Sequence, residues 1–293
     1  MFVKFEKAGS SQNHYSKTSR FKQQSLSNIQ VPQTLTLKLA NMLPIISLLG
    51  ISHSGKAALG RQLSGVYNLY YLDLEEMLRK KCELPFKRAG IDCTKWAEKG
   101  EPVPNEVIRE QKIGYVSVAE VQIFNCRLRG EPVPVYVILQ ALLETVEEVS
   151  GDKDRGGRAY NAILLHGFSQ ALQDFHYMRN HFAEFHVFPK LAILIECPVD
   201  VAMTRFINRT SDNEDAAAFG KKLEGQRKDL GDLIPVLEPS RLVRSTNDGS
   251  MAFDKAFEEL VARLNRNVLW KSIVGAKALG ETSSPSAVDA QST

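Results

Sequence analysis

The segment Leu43–Lys56, reading Leu-Pro-Ile-Ile-Ser-Leu-Leu-Gly-Ile-Ser-His-Ser-Gly-Lys, leaves few folds open to this chain. Its apolar run has the length and continuity of a strand buried on both faces, which occurs in parallel sheets. The run ends directly in Gly-x-x-x-x-Gly-Lys, and Ala57–Val66 continues as a helix. Strand, glycine-bounded turn and helix in this order make a phosphate-binding loop. The free N–H groups at the helix start point at an anion, the helix dipole favours negative charge there, and the lysine reaches the outer phosphates. The pattern also asks for Ser or Thr after the lysine, as a metal-side hydroxyl. Here Ala57 and Ala58 follow Lys56.

Four further apolar runs alternate with helical segments. Asn68–Leu72, Asn161–Leu165, Leu191–Glu196 and Arg241–Ser245 read as strands. Glu75–Cys82, Val137–Val149, Gln173–Phe185, Val199–Arg209, Asp215–Leu230 and Met251–Leu264 read as helices. With the first strand this predicts an α/β fold, a five-stranded parallel sheet flanked by helices, with its ligand beyond the strand C-termini. A net charge of +3 is too small to argue for nucleic acid or a membrane surface, and no apolar run has the length of a membrane span. Cys82, Cys93, Cys126 and Cys197 lack metal-site spacing and read as reduced thiols of an intracellular protein.

The ends differ from the middle. Residues 1–40 carry Lys4, Lys7, Lys17, Arg20, Lys22 and Lys38 against Glu6 alone, among Ser, Gln and Asn. Two readings of this arm stay open: a disordered segment of a cytoplasmic protein, or a mitochondrial presequence. Residues 275–293 read as a disordered tail. Between them, Gly100-Glu101-Pro102-Val103-Pro104 recurs as Gly130-Glu131-Pro132-Val133-Pro134. A true insertion, chance recurrence of a Pro-rich turn, and an error in the gene model all account for the repeat.

Taken in order, the strand ends resemble those of the nucleoside monophosphate kinases, the adenylate and UMP/CMP kinase family, over residues 43–265. Gly50 to Ala58 lies over that family's Gly-x-Pro-Gly-x-Gly-Lys-Gly-Thr. Asp73-Leu74-Glu75-Glu76-Met77-Leu78-Arg79 lies over Ser-x-Gly-Asp-Leu-Leu-Arg, and His166-Gly167-Phe168-Ser169-Gln170 over Asp-Gly-Phe-Pro-Arg. Glu196 to Arg205 is similar to the fourth strand and helix of the UMP/CMP branch. Asn213-Glu214-Asp215 resembles the end of the family's lid, and Asn247-Asp248-Gly249-Ser250 the turn beside the nucleotide base.

The resemblance implies a P-loop NTPase domain over 43–270, with an expanded acceptor-binding region at 80–149 and a shortened lid at 209–222. Gly50, Ser52, His53, Ser54, Gly55, Lys56, Ala57, Ala58 and Gly249 would bind the nucleotide. Lys56, Arg205 and Arg209 would act on the transferring phosphoryl group; Arg79, Gly167, Gln170 and Gln173 would bind the acceptor. The implied activity is transfer of the γ-phosphate of ATP to a nucleoside monophosphate or related small acceptor by a monomeric enzyme, with Mg2+. Several positions depart from the family. Gln170 stands for the motif arginine, His166 for an aspartate that helps to hold magnesium through water, and Ala58 for the loop hydroxyl. Lys221 or Lys222 would stand in for a later arginine. A neutral amide does not replace a bidentate guanidinium, so a nucleotide- or partner-binding domain without efficient turnover is the second expectation.

Overall fold

The computed structural model describes residues 42–88, 117–151, 160–168, 170–182, 188–209 and 215–275. The basic arm, the first Gly-Glu-Pro-Val-Pro copy, residues 210–214 of the expected lid, and the tail beyond Gly275 lie outside them. Strands β1 (Ile45–Leu49), β2 (Leu69–Asp73), β3 (Ala162–His166), β4 (Leu191–Glu196) and β5 (Leu242–Thr246) form one sheet in the order β2-β3-β1-β4-β5. All four pairings are parallel; Ser47 lies opposite Leu165 on one side and Ala192 on the other. The strands expected from apolar runs are all present, each within about a residue of its expected ends.

Alternation along the strands divides the core. On β1, Ile45 and Leu49 face one layer, while Ile46 and Leu48 face the other. The first layer holds α2 (Leu74–Arg88), α3 (Val118–Leu128), α4 (Val135–Gly151), α5 (Leu172–Phe182), α6 (Val199–Ile207) and α7 (Ala216–Leu233). The second holds α1 (Lys56–Tyr67), α8 (Phe253–Leu264) and α9 (Val268–Val274). Helix α1 buries Lys56, Leu59, Gly60, Leu63, Ser64 and Tyr67, a stripe at helical spacing that lays it on the sheet. The outer strands β2 and β5 are only partly buried, whereas β1 is buried throughout. The loop after β1 therefore emerges at mid-sheet. There β3 pairs on one side and β4 on the other, the crossover point at which open α/β sheets bind ligands.

Strand order and the loop after the central strand together define an α/β P-loop fold. The second Gly-Glu-Pro-Val-Pro copy is the turn from α3 to α4: Gly130 adopts φ 66° and Glu131 N–H donates to the Cys126 carbonyl. Among the described residues no helix is long and apolar enough to cross a membrane, and Cys82, Cys126 and Cys197 are free thiols.

Helix α9 lies beyond the last helix expected from the sequence. Asn267 caps it by accepting from Trp270 N–H, and Trp270 is fully buried, its ring edge-on to Tyr67 at 4.9 Å. The fold thus runs past the end of the family resemblance. Trp270→Ala is expected to lower the unfolding free energy by about 3–5 kcal/mol, read as a lower urea midpoint with unchanged slope.

Candidate functional site

The loop between β1 and α1 is built from backbone conformations that most residues avoid. Gly50 (φ 139°), His53 (φ 58°) and Gly55 (φ 91°) all have positive φ. A Cβ on Gly50 would stand 2.5 Å from the Ile195 carbonyl oxygen, and one on Gly55 would stand 2.3 Å from Asn247 Nδ2. Torsion favours glycine at both positions, and at Gly50 the backbone contact requires it as well. His53 belongs to the small set of non-glycine types that accept a left-handed backbone. Its ring meets Phe206 of α6 and Phe219 of α7 edge-on, at 5.6 and 5.2 Å, and those two rings stack on each other at 3.8 Å. The imidazole therefore anchors the loop to two helices.

Side-chain amides hold the loop from three directions. Gln170, just after β3, accepts from Gly50 N–H at 2.9 Å and donates to the Gly50 carbonyl at 3.1 Å. Gln226 of α7 accepts from Ser52 N–H at 2.7 Å. Asn247, just after β5, donates to the Ser54 carbonyl at 2.8 Å and accepts from Arg205 Nη2 at 3.0 Å, while Arg205 Nη1 donates to the His53 carbonyl at 3.3 Å. Ser54 is fully buried within the loop, its hydroxyl without a hydrogen-bond partner among the described residues.

Lys56 opens α1 with its side chain folded back under the loop, Nζ donating to the Ile51 carbonyl. It is only 9% exposed. Burial lowers its pKa to about 8; the Cys197 thiol nearby pulls it back up, and the charge of Lys222 lowers it further. Gly55 supplies no side-chain cap, so the first-turn N–H groups of α1 and a desolvated ammonium converge on the same space. These groups fit a polyphosphate. The donor set does not fit a protein-held magnesium ion. Ala58 is exposed and has no oxygen, and both Asp73 carboxylate oxygens are engaged, Oδ1 by the N–H groups of Glu75 and Glu76, Oδ2 by His166. Among the described residues no cluster of acidic, His or Cys side chains forms a metal site.

The remaining expected residues separate into two groups. Gly249 adopts φ 81° in the turn after β5, with Arg205 and Val201 against it, and Gly167 adopts φ 89° directly after β3. Both therefore border the loop or the strand end beside it. Arg79 sits on α2 and grips Glu76 through Nε (3.1 Å) and Nη2 (2.8 Å), its side chain half exposed. Gln173 is exposed on the first turn of α5. The helix expected over Val199–Arg209 is shorter: α6 ends at Ile207, Asn208 is its cap, and Arg209 is an exposed residue beyond it. Much of the expected lid is helical, since 216–222 form the first turns of α7, capped by Asp215 accepting from Ala217 and Ala218 N–H.

Sequence reading assigned no role to Asn247, Gln226 or the carboxylate of Asp73. Asp73 ends β2 and His166 ends β3, directly opposite each other in the ladder. His166 Nδ1 lies 3.1 Å from Asp73 Oδ2 and the ring stacks on Tyr71. Only the strand pairing brings them together; their separation in sequence hides it.

Two solved structures resemble the chain weakly. A gluconokinase from Sinorhizobium meliloti 1021 aligns at TM-score 0.40 and 14% identity, over 77% of this chain and 93% of that one. A shikimate kinase from Bacteroides thetaiotaomicron aligns at TM-score 0.40 and 11% identity, over 76% of this chain and 97% of that one. Neither is a nucleoside monophosphate kinase. No family model and no curated protein sequence matches the chain.

The buried lysine sets a prediction whose sign is opposite with and without ligand. Its folded-state pKa lies below the ordinary 10.5, so folding releases protons between about pH 8 and 10.5. Stability consequently rises with pH across that window, and below about pH 8 the folded state carries the full desolvation cost, about 3 kcal/mol. Lys56→Met is expected to raise the ligand-free unfolding free energy at pH 7 by about 1–3 kcal/mol, the lost bond to Ile51 offsetting part of the gain. Urea melts at pH 7 and pH 9.5 check this: the gain should shrink at the higher pH.

Proposed function

We propose that this chain binds a nucleoside triphosphate on the Gly50–Lys56 loop and transfers its terminal phosphoryl group to a small acceptor. The observation that carries the reading is the convergence of Lys56 and the uncapped start of α1 behind a loop held in left-handed geometry. The desolvated ammonium is costly in the absence of an anion, and a polyphosphate offsets that cost. Binding would raise the lysine's pKa back toward its ordinary range, so affinity should fall as pH rises through about 8.

Two grooves open at the ends of β2 and β4, which favours a donor and an acceptor approaching from different sides. One, of about 790 Å3, opens along β2 and includes Asp73; the other, of about 860 Å3, opens beside β4 and includes Ile51 and Cys197. In this reading Lys56 and the first-turn N–H groups of α1 bind and orient the phosphates, and Arg205 adds positive charge beside the loop while bracing it through His53 and Asn247. Mg2+ would neutralise phosphate charge when it accompanies the nucleotide; the chain's own donors do not hold it. The family resemblance favours a nucleoside monophosphate acceptor in contact with Arg79.

A second reading, nucleotide binding without turnover, is favoured by the way the polar groups are spent. Gln170 is committed to the Gly50 backbone, Arg79 to Glu76 and Arg205 to the loop itself. One transition-state arginine is worth about a thousandfold or more in phosphoryl transfer, so these commitments bear directly on rate.

ATP is expected to raise the melting temperature, by an amount corresponding to about 2.7 kcal/mol at a hundredfold excess over Kd. Lys56→Ala should abolish the shift. Absence of a shift with or without magnesium sinks both readings. Where binding is seen, a coupled assay with AMP, CMP, UMP and dCMP, compared with Lys56→Ala, separates turnover from binding alone.

A further inference from the structure

The acceptor side of the loop is chemically unlike a phosphate-binding site. A phosphate acceptor is already anionic near neutral pH, so it needs cations to hold it and no base to activate it. The groove beside β2 presents the opposite balance. Asp73, Glu75, Glu76, Glu120 and Glu148 line it and outnumber its cations, Arg61, Lys80 and Lys81. Two of those cations are already paired, Lys80 with Glu76 and Lys81 with Glu144. After β3, where a guanidinium would grip a second phosphate, the neutral amide of Gln170 is bound to the loop backbone instead. A dianionic acceptor entering this groove would meet mostly like charge.

Beside this groove, against its Asp73 and Tyr71, stands a group that a phosphate acceptor would not require. Asp73 and His166 close β2 and β3 side by side, with Nδ1 of the imidazole 3.1 Å from Oδ2 of the carboxylate. An ionised carboxylate only accepts hydrogen bonds, so Nδ1 carries the proton and Nε2 holds the lone pair. Among the described residues no group bonds to Nε2. The carboxylate cannot swing freely, because its other oxygen caps α2 through the Glu75 and Glu76 N–H groups. The ring is held further by stacking on Tyr71, over which the Arg61 guanidinium lies at 5.3 Å. The groups that act on the imidazole are Asp73, which favours its protonated form, and Lys56 and Arg61, which oppose it. Burial is the largest influence and lowers its pKa, so the ring is neutral at pH 7. His166 lies opposite Leu48 in the β1–β3 ladder, on the strand next to the one that runs into the phosphate loop.

We infer that His166, oriented by Asp73, is a general base for an acceptor hydroxyl, and that the group phosphorylated by this chain is an alcohol and not a phosphate. This rests on the nucleotide reading above. In the transfer step Nε2 takes the proton of the acceptor O–H, and the freed oxygen lone pair forms the new bond to the γ-phosphorus. The bond from that phosphorus to the β–γ bridging oxygen breaks, its electron pair leaving with the nucleoside diphosphate. The imidazolium then returns its proton to solvent, and the products are a phosphate monoester, a nucleoside diphosphate and a proton. Asp73 is a positioning residue: it fixes the tautomer and the ring and stabilises the imidazolium.

The test uses the full chain and [γ-32P]ATP with two sets of acceptors. One set is water, glycerol, a hexose, a hydroxy acid, uridine and cytidine; the other is AMP, CMP, UMP and dCMP. Transfer to an alcohol acceptor, above the hydrolysis measured with water alone, is expected to rise with pH along a limb centred below 6.5. His166→Asn, whose amide N–H can still reach Asp73, should lose that limb and lower kcat about a hundredfold or more, with KM for ATP and the ATP-induced melting shift kept. Asp73→Asn should move the limb to lower pH and reduce kcat with little change in KM. Transfer confined to the monophosphates overturns the proposal, as does hydroxyl transfer that His166→Asn leaves unchanged. A melting shift with ATP but no transfer beyond hydrolysis overturns it too, while leaving nucleotide binding standing. Absence of the melting shift removes the nucleotide reading itself, and this proposal with it.

Discussion

The ammonium of Lys56, held out of water beneath its own loop, is the interaction on which the rest of this site depends. A buried cation with one carbonyl partner costs stability, and the cost is retained only because the surrounding structure fixes the loop. That fixing is distributed over the sheet. Gln170 reaches from the end of β3, Asn247 from the end of β5 and Gln226 from α7, and each spends an amide on a loop backbone group. The central position of β1 makes this feasible, because parallel neighbours on both sides deliver their C-terminal residues to the same rim.

The amide clamps also determine where charge is available. Amides satisfy loop N–H and carbonyl groups without adding field, so the positive potential at the loop comes chiefly from Lys56, Arg205 and the start of α1. Arg205 is not free to follow a substrate, since its two terminal nitrogens are divided between the His53 carbonyl and the Asn247 amide. The arrangement suits one polyphosphate held firmly. It is less suited to gripping a second phosphate on the β2 side, where carboxylates predominate. Charge balance at the two flanks of one loop thus separates donor from acceptor chemistry more clearly than the loop motif does.

Much of the fold was legible because its signals are local. The continuous apolar run of β1 and the stripe Leu59, Leu63, Tyr67 follow directly from burial on one or two faces. Gly50, Gly55 and Lys56 were legible from the local motif, although the close contacts at the two glycines come from Ile195 and Asn247, distant in sequence. Helix α6 was read two residues too long, to Arg209, because helical spacing does not register that Asn208 already caps it. Trp270 lay beyond the resemblance and outside any long periodic segment, so a short capped helix escaped notice. Asp73 and His166 were seen separately, one as part of a helix start and the other as a lost aspartate. Their pairing is a property of the β2–β3 ladder, which no single stretch of sequence encodes.

That pairing also explains how a substitution at the end of β3 can be accommodated without cost to the fold. A carboxylate at position 166 would face Asp73 across one ladder step, two like charges beside a shared strand end. An imidazole there turns repulsion into a hydrogen bond and lets Asp73 remain the ionised cap of α2. The helix bearing Arg79 and Glu76 is then positioned by the same carboxylate that orients the imidazole. A shift of α2 would be felt at Asp73 and, through it, at His166. The strand ladder thus ties the start of α2 to the end of β3 through one carboxylate.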